Sequence, residues 1–286
     1  MECRRKQPGA RRFAGRFRTE YGRAVRIHSI QGKTKGWRKW RTMLWLDDYE
    51  RRARLAPGLL TLLPLAVAGV GIGVRDLPIV SSLFSIIAAV GGPVALANIV
   101  RERGRALQAD FFSKWSGEPT MHYLRVGAVD DVQRLQHRAA VSALTGSELP
   151  TQAEETGAPD ASDSRYRAGV ARLREMTRDP DTFRLVFVEN RNYGFERNLL
   201  AMRPIAIWAS AISCAALVSV IVLRLSGAIS RPPVGDLLLA LLAVVGVGCF
   251  WLWYPTEHRV KNAGETYARR LLDASLILSP PSREQT

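Results

Sequence analysis

Four long apolar runs, separated by charged stretches, dominate the pattern of hydrophobic and polar positions along the chain. They carry no formal charge and cover residues 55–74, 77–100, 204–223 and 237–254. A helix needs about 20 apolar residues to cross the hydrocarbon core of a bilayer. The alternative is buried core helices of a soluble protein, which normally show a polar face at this length. The pattern therefore predicts four membrane helices.

The first two runs are separated only by Arg75 and Asp76, so they are expected to form a hairpin. Gly69 and Gly73 lie four positions apart in the first run, a spacing that lets another helix approach closely. The triplet Gly91-Gly92-Pro93 predicts a kink in the second run. The last two runs form a second hairpin over residues 204–254.

The segment between the two hairpins, residues 101–203, is the only one large enough for a soluble domain. Apolar spacing predicts helices over 100–115, 129–144 and 164–177, a last helix from Asp179 into the third run, and irregular links over 115–125 and 145–162. The apolar face of the second helix is predicted to be Val129, Val132, Leu135, Ala139 and Ala143. The central domain is therefore expected to be helical.

The two ends of the chain are polar. Residues 43–54 predict a juxtamembrane helix, and residues 255–286 an amphipathic tail. Residues 1–42 are rich in Arg, Lys and Gly and bury too little apolar surface to fold alone. This arm has three interpretations: a disordered segment on anionic lipid, a nucleic-acid contact, or a mis-annotated start with translation beginning at Met43.

The predicted fold is thus an all-α polytopic membrane protein. Two transmembrane helix pairs, residues 55–100 and 204–254, flank a helical cytoplasmic domain of residues 101–203.

Charge orients this arrangement. The chain of 286 residues has a formal net charge of +15, and residues 1–54 hold 17 Lys/Arg against 5 Asp/Glu. Because the excess belongs to the arm, nucleic acid is not an expected partner of the whole protein. Basic residues also follow the second run and flank the second pair on one side, whereas Arg75, Arg224 and Arg231 lie on the other. Both termini are therefore predicted to be cytoplasmic, in a multi-pass protein of a cell inner membrane.

Candidate chemistry is sparse. The three cysteines are scattered, and the four histidines show no metal-ligand spacing. No serine lies in a nucleophile turn, and no acidic residue lies inside a run. We therefore predict no catalytic residue, metal site or cofactor.

One polar face is the best candidate for a binding site. Asn190, Tyr193 and Arg197 share one side of the predicted last helix, with Glu189 and Asn198 beside it. Arginine is a planar donor to phosphate or carboxylate, and tyrosine offers a stacking ring. The face is suited to a nucleotide-like ligand or a protein partner. The alternative is a structural network that ties the cytoplasmic helices to the membrane pairs.

Several segments between residues 44 and 208 carry a family resemblance: 47–49, 53–57, 119–120, 124–125, Tyr166, 173–179, 189–190, 193–195 and 197–199. In them the chain resembles a family of uncharacterised bacterial four-span membrane proteins, from which it departs at Glu196 and at Ala201-Met202. Similar small membrane proteins occur among the membrane effectors of bacterial anti-phage systems. The resemblance implies a bacterial inner-membrane protein and brings no established activity.

The functional expectation is a non-enzymatic effector or interaction module embedded in the lipid bilayer. One alternative is a subunit of an oligomeric channel or small transporter, which requires homo-oligomers because the runs lack charges. The other is a membrane-bound enzyme acting on lipid-linked substrates, against which the absence of a catalytic signature argues.

Overall fold

The computed structural model of this chain describes residues 48–73, 91–125, 131–146 and 148–278, together with the isolated positions 78 and 82. The predicted arm and most of the second apolar run lie outside these residues. The described residues are helical with no strand, and they belong to one compact unit, Asp48–Thr286. The all-α prediction is confirmed for this part of the chain.

The helices follow the chain in a simple order. They are α1 (Asp48–Glu50), the π-helical segment π1 (Arg51–Leu55), α2 (Ala56–Ile72), α3 (Gly92–Lys114), α4 (Pro119–Leu124), α5 (Asp131–Thr145), α6 (Gln152–Gly157), α7 (Pro159–Met176), α8 (Arg184–Leu225), α9 (Val234–Trp253) and α10 (Glu257–Leu278).

Three helical stretches of the described chain are long and apolar enough to cross a membrane: Arg51–Ile72, Arg184–Leu225 and Val234–Trp253. They contain the first, third and fourth predicted runs. The predicted second span is not among them, because residues 74–90 are almost entirely outside the described ranges. Four spans therefore remain a prediction, and three candidates are present.

The longest element, α8, joins polar and apolar sequence without a break. Its 42 residues extend about 63 Å at 1.5 Å per residue, and Pro204 lies inside it. The predicted last helix does run into the third apolar run. It begins at Arg184 and not at Asp179, because the Asp179 carboxylate accepts hydrogen bonds from the Asp181 N–H at 3.2 Å and the Thr182 hydroxyl at 2.6 Å. These bonds form a turn before the helix.

The candidate spans approach each other at small residues. A Cβ added to Gly71 of α2 would lie 2.5 Å from the Ala240 Cβ of α9, so only glycine permits this approach. Gly73 ends α2 in the left-handed conformation, with φ 87°, and Gly69 lies within the helix. The predicted packing role of Gly69 and Gly73 stays a prediction.

The predicted kink at Gly91-Gly92-Pro93 is instead a helix start. Gly91 has φ 114°, which excludes it from a right-handed helix, and α3 begins at Gly92. Pro93 then occupies the first turn of α3, where its missing N–H costs no hydrogen bond.

The central helices share one apolar core with α10. Met121 of α4, Val141 of α5, and Tyr166 and Leu173 of α7 form one buried cluster with Leu271 of α10. The predicted tail is therefore an integral part of this core. Its amphipathic pattern is the result of packing one face against α4, α5, α7 and α8.

The predicted apolar face of α5 is wrong. Val132, Leu135, Ala139 and Ala143 are exposed, and Val129 lies outside the described residues. The buried side of α5 instead carries Arg134, His137, Ala140 and Val141. Hydrogen bonds make this polar face tolerable in the interior, since His137 Nε2 lies 3.2 Å from Asp273 Oδ1 of α10.

His137 is expected to make stability depend on pH. The side chain is 4% exposed, and burial lowers its pKa, although the hydrogen bond and charge of Asp273 oppose this. A folded-state pKa below the ordinary value of about 6.5 means that the unfolded chain binds the proton more readily. Stability is thus full above pH of about 6.5 and falls as the pH is lowered below it.

Melting temperatures between pH 7.5 and 5.0 should therefore drop more for the wild type than for His137→Gln. His122→Gln is the matched control, because His122 is exposed and should leave the wild-type profile intact. A wild type that gains stability on acidification relative to His137→Gln would show that the ion pair with Asp273 outweighs burial.

Two predicted links contain helices. Residues 115–125 include α4, which Pro119 begins in its first turn. Residues 145–162 include α6 and the first residues of α7. Thr151 caps α6 by accepting the Glu154 N–H at 3.3 Å, and the Glu154 carboxylate accepts the Thr151 N–H at 2.8 Å. This reciprocal pair is a capping box, a signal present in the sequence as Thr-Gln-Ala-Glu.

Candidate functional site

A cleft of about 420 Å³ opens between the polar half of α8 and the helices around it. Side chains from α3, α4, α7 and α10 complete its wall. Its size falls within the range of small-molecule sites, about 300–1,000 Å³. This cleft is the candidate functional site of the chain.

The structure separates the five predicted site residues into three groups. Asn190, Tyr193 and Arg197 line the cleft together, as their shared helix face predicts. Asn198 is fully buried behind them and does not line it. Glu189 faces a different depression beside Arg259 and accepts a hydrogen bond from Asn192 at 3.2 Å.

Arg197 and Asn198 form a buried polar network beneath the cleft. Arg197 is 9% exposed and Asn198 is 0% exposed. The Asn198 Oδ1 accepts from the Arg197 Nε at 3.2 Å and from one terminal guanidinium nitrogen at 3.1 Å. The other terminal nitrogen donates to Gln108 Oε1 of α3. These hydrogen bonds give acceptors to the Arg197 guanidinium, whose charge would be costly to bury without partners.

The same network reaches the base of the first span. The Asn198 Nδ2 donates to the Ala53 carbonyl of π1 at 2.6 Å, and Ala53 is buried. A π-helical turn leaves the usual register of an α-helix, and such turns are frequent at functional sites. Asn198 therefore links the cleft residue Arg197 to an irregular turn directly before α2.

Gly104 of α3 provides the space for this network. A Cβ at this position would lie 1.8 Å from Asn198 Oδ1 and 3.2 Å from Arg197 Nε. Contacts this short do not occur between real atoms, so a larger residue forces Asn198 to move. Glycine at position 104 is thus required by a close approach and not by its backbone conformation.

Aromatic rings form one wall of the cleft. Tyr193 and Tyr267 lie with parallel planes, 4° apart, and their ring centroids are separated by 6.4 Å. Gly264 of α10 permits this packing, because a Cβ there would lie 3.2 Å from the Tyr193 ring. The Arg197 guanidinium lies 5.7 Å from the centroid of the same ring.

The hydroxyl of Tyr193 is a buried donor without a partner among the described residues. The side chain as a whole is also buried. Leaving such a group unsatisfied costs about 1–3 kcal/mol, so a water molecule or ligand atom in contact with it would stabilise the fold.

Charged residues also line the cleft and its rim. Arg174 is paired with Glu118, and Arg178 lies 3.1 Å from Glu175. The side chain of Arg178 is 78% exposed, so that pair is weak and readily exchanged. The charged cleft residues are three arginines, Arg174, Arg178 and Arg197, and one acid, Glu118. The lining therefore carries a formal charge of +2.

Tyr267 remains a hydrogen-bond donor at neutral pH. Burial raises the pKa of its phenol above the ordinary value, and the neighbouring Arg174 opposes that increase. A protonated phenol beside a guanidinium presents two donors to an anion. The combination suits a ligand that carries an oxyanion next to a planar ring. Within the described ranges, no three His, Cys, Asp or Glu side chains come together to hold a metal.

Sequence reasoning missed several residues of the cleft. Tyr267 and Gln108 lie far from the predicted face in sequence, and no local pattern marks them. The same holds for Gly104, which borders the buried network and does not line the cleft. Thr120, Arg174 and Arg178 also line or border it.

No protein-family model, curated protein or solved structure matches this chain.

Proposed function

We propose that this chain is a bacterial inner-membrane effector or interaction module without enzymatic activity, in which a cytoplasmic helical domain acts on the membrane helices. The observation that carries the proposal is α8. Its polar half bears five residues of the cleft, and its apolar half contains the third predicted run, residues 204–223.

The length of α8 supports this role. At about 63 Å it is roughly twice the thickness of a hydrocarbon core, which is about 30 Å. A helix that spans the bilayer with residues 204–223 therefore extends well beyond it. The helix is continuous through Pro204, so a displacement of its polar half is expected to move its apolar half as well.

Contacts at the membrane end of the polar half connect α8 to the other two spans. Asn198 holds the Ala53 carbonyl before α2. Arg203 donates to the Leu252 carbonyl at 2.8 Å and to the Pro255 carbonyl at 3.3 Å, at the end of α9. The cleft residue Arg197 is thus connected through Asn198 to the turn before α2, and α8 itself is hydrogen-bonded to the end of α9. Contiguous networks of this kind can carry coupling between two sites.

The orientation in the proposal rests on charge. Basic residues such as Arg51, Arg52, Arg103 and Arg259 lie on the side of the spans where the central helices are, and Arg224 and Arg231 lie at the far ends of α8 and the α8–α9 link. Lys and Arg are retained on the cytoplasmic side of a membrane. Reporter fusions within residues 131–146 and at residue 229 test this arrangement, and an external reporter in the first segment contradicts it.

The function is tested by membrane potential and dye entry in a bacterial host. Cells expressing the wild type should depolarise and admit dye. Cells with equal membrane amounts of Arg197→Ala should not, because the hydrogen bonds to Asn198 and Gln108 are lost. Arg172→Ala, at an exposed position of α7 outside the cleft, should behave as wild type. Intact membranes with all three chains would contradict an effector and leave an interaction module.

A further inference from the structure

The cleft described above has a composition that selects a class of ligand. Its charged residues are three arginines and one glutamate, so it favours an anion. Its remaining wall is aromatic, since Phe112 and Phe187 line it together with Tyr193 and Tyr267. Flat apolar surface next to guanidinium groups fits a planar ring that carries an oxyanion.

Donors for the oxyanion are available at the rim and in the depth of the cleft. Arg178 is held only by an exposed pair with Glu175, which an incoming anion can replace. Arg197 has five N–H donors, and three of them are used by Asn198 and Gln108. The Tyr193 hydroxyl, which is buried and without a partner in the described part of the chain, adds a donor that a ligand oxygen can satisfy.

We infer that the cleft binds a small planar molecule bearing a phosphate or carboxylate, with the oxyanion received by Arg178 and Arg197 and the ring placed against Tyr193 and Tyr267. This inference deepens the proposed function and rests on it for its consequence. It names the class of molecule that sets the state of α8.

In this proposal the oxyanion of the ligand competes with the Asn198 amide oxygen for the N–H donors of Arg197. An oxyanion at Arg197 draws the guanidinium away from Asn198, because a charged acceptor forms stronger hydrogen bonds than an amide oxygen does. Asn198 is the residue that holds the Ala53 carbonyl of π1. The ligand is thereby connected through two side chains to the turn before α2.

Calorimetric titration of the full chain in lipid nanodiscs tests the binding. The probes are adenosine monophosphate, benzoate, adenosine and inorganic phosphate. Adenosine monophosphate or benzoate should bind at least about tenfold more tightly than adenosine, which has the ring without the anion.

A charge reversal at the rim locates the site. Arg178→Glu should weaken binding of the aromatic anion about tenfold, and Arg172→Glu, at an exposed position outside the cleft, should change it less than about twofold. Arg178 is on the surface, so both variants should melt with the wild type. The inference is overturned if neither aromatic anion binds, if adenosine or inorganic phosphate binds as tightly, or if the two reversals weaken binding equally.

The outcomes separate this inference from the proposed function. Binding that depends on Arg178, with no effect on membrane potential, would retain the ligand site and remove the effector. Depolarisation that is the same in the wild type and Arg178→Glu, with no binding of the aromatic anions, would retain the effector and remove the ligand site.

Discussion

Substitution of Asn198 by leucine is expected to destabilise the protein by about 3–5 kcal/mol, because it breaks a buried charge network at its centre. Leucine removes the acceptor that receives two hydrogen bonds from Arg197 and the donor that reaches the Ala53 carbonyl. Among the described residues, Gln108 is then the one side-chain acceptor that remains for the guanidinium in the interior. Denaturant unfolding in detergent measures the loss.

A double-mutant cycle distinguishes the lost network from a simple change of shape. Arg197→Met removes the charge, so the pair Arg197→Met with Asn198→Leu should cost at least about 1 kcal/mol less than the sum of the two single changes. The control is Asn192→Leu at an exposed position of the same helix, expected within about 0.5 kcal/mol of wild type. Additive losses in the cycle would show that Arg197 and Asn198 do not act as a unit.

Alanine at Gly104 should lower stability by about 2 kcal/mol, or about 4–8 °C in melting temperature for a chain of this size. The intrinsic preference of helices for alanine works in the opposite direction, by about 0.5–1 kcal/mol. Steric conflict wins because the added Cβ would lie 1.8 Å from Asn198 Oδ1, and Asn198 is held on both sides by hydrogen bonds.

Gly246→Ala is the matched control for this substitution. Gly246 also lies within a helix, and no atom lies within 4 Å of an added Cβ. The control should be neutral or stabilising by up to about 1 kcal/mol. If Gly104→Ala melted together with Gly246→Ala, the close approach of α3 to Asn198 would be incorrect. If Gly104→Ala lowers stability and Gly246→Ala does not, the packing of Gly104 against Asn198 contributes to the stability of the fold.

The sequence alone was sufficient for the features that depend on local periodicity. The uncharged runs predict membrane spans, because length and hydropathy are properties of the run itself. Three of the four runs correspond to candidate spans in the described part of the chain. The sequence also predicts that the last helix of the central domain runs into the third apolar run, and α8 does so. The shared face of Asn190, Tyr193 and Arg197 follows from 3.6 residues per turn, and these three do line one cleft.

Local periodicity failed where the contacts are long-range. The apolar side of α5 at Val132 and Leu135 is exposed. His137 is instead buried, where it is hydrogen-bonded to the Asp273 carboxylate, 136 residues away. A hydrophobic pattern cannot register that a polar side chain has found a partner. The tail helix was predicted, but its role as part of the central core was not.

The sequence by itself thus determined an all-helical chain with long apolar helices and one polar face on the helix that joins them. The tertiary structure decided that this face forms a cleft with Arg174, Arg178 and Tyr267, and that Asn198 is a buried link to Ala53. It also decided the role of Gly104, because an added Cβ there would lie 1.8 Å from Asn198 Oδ1. Helical spacing is a property of neighbours along the chain, but a cleft is formed by side chains that only packing brings together.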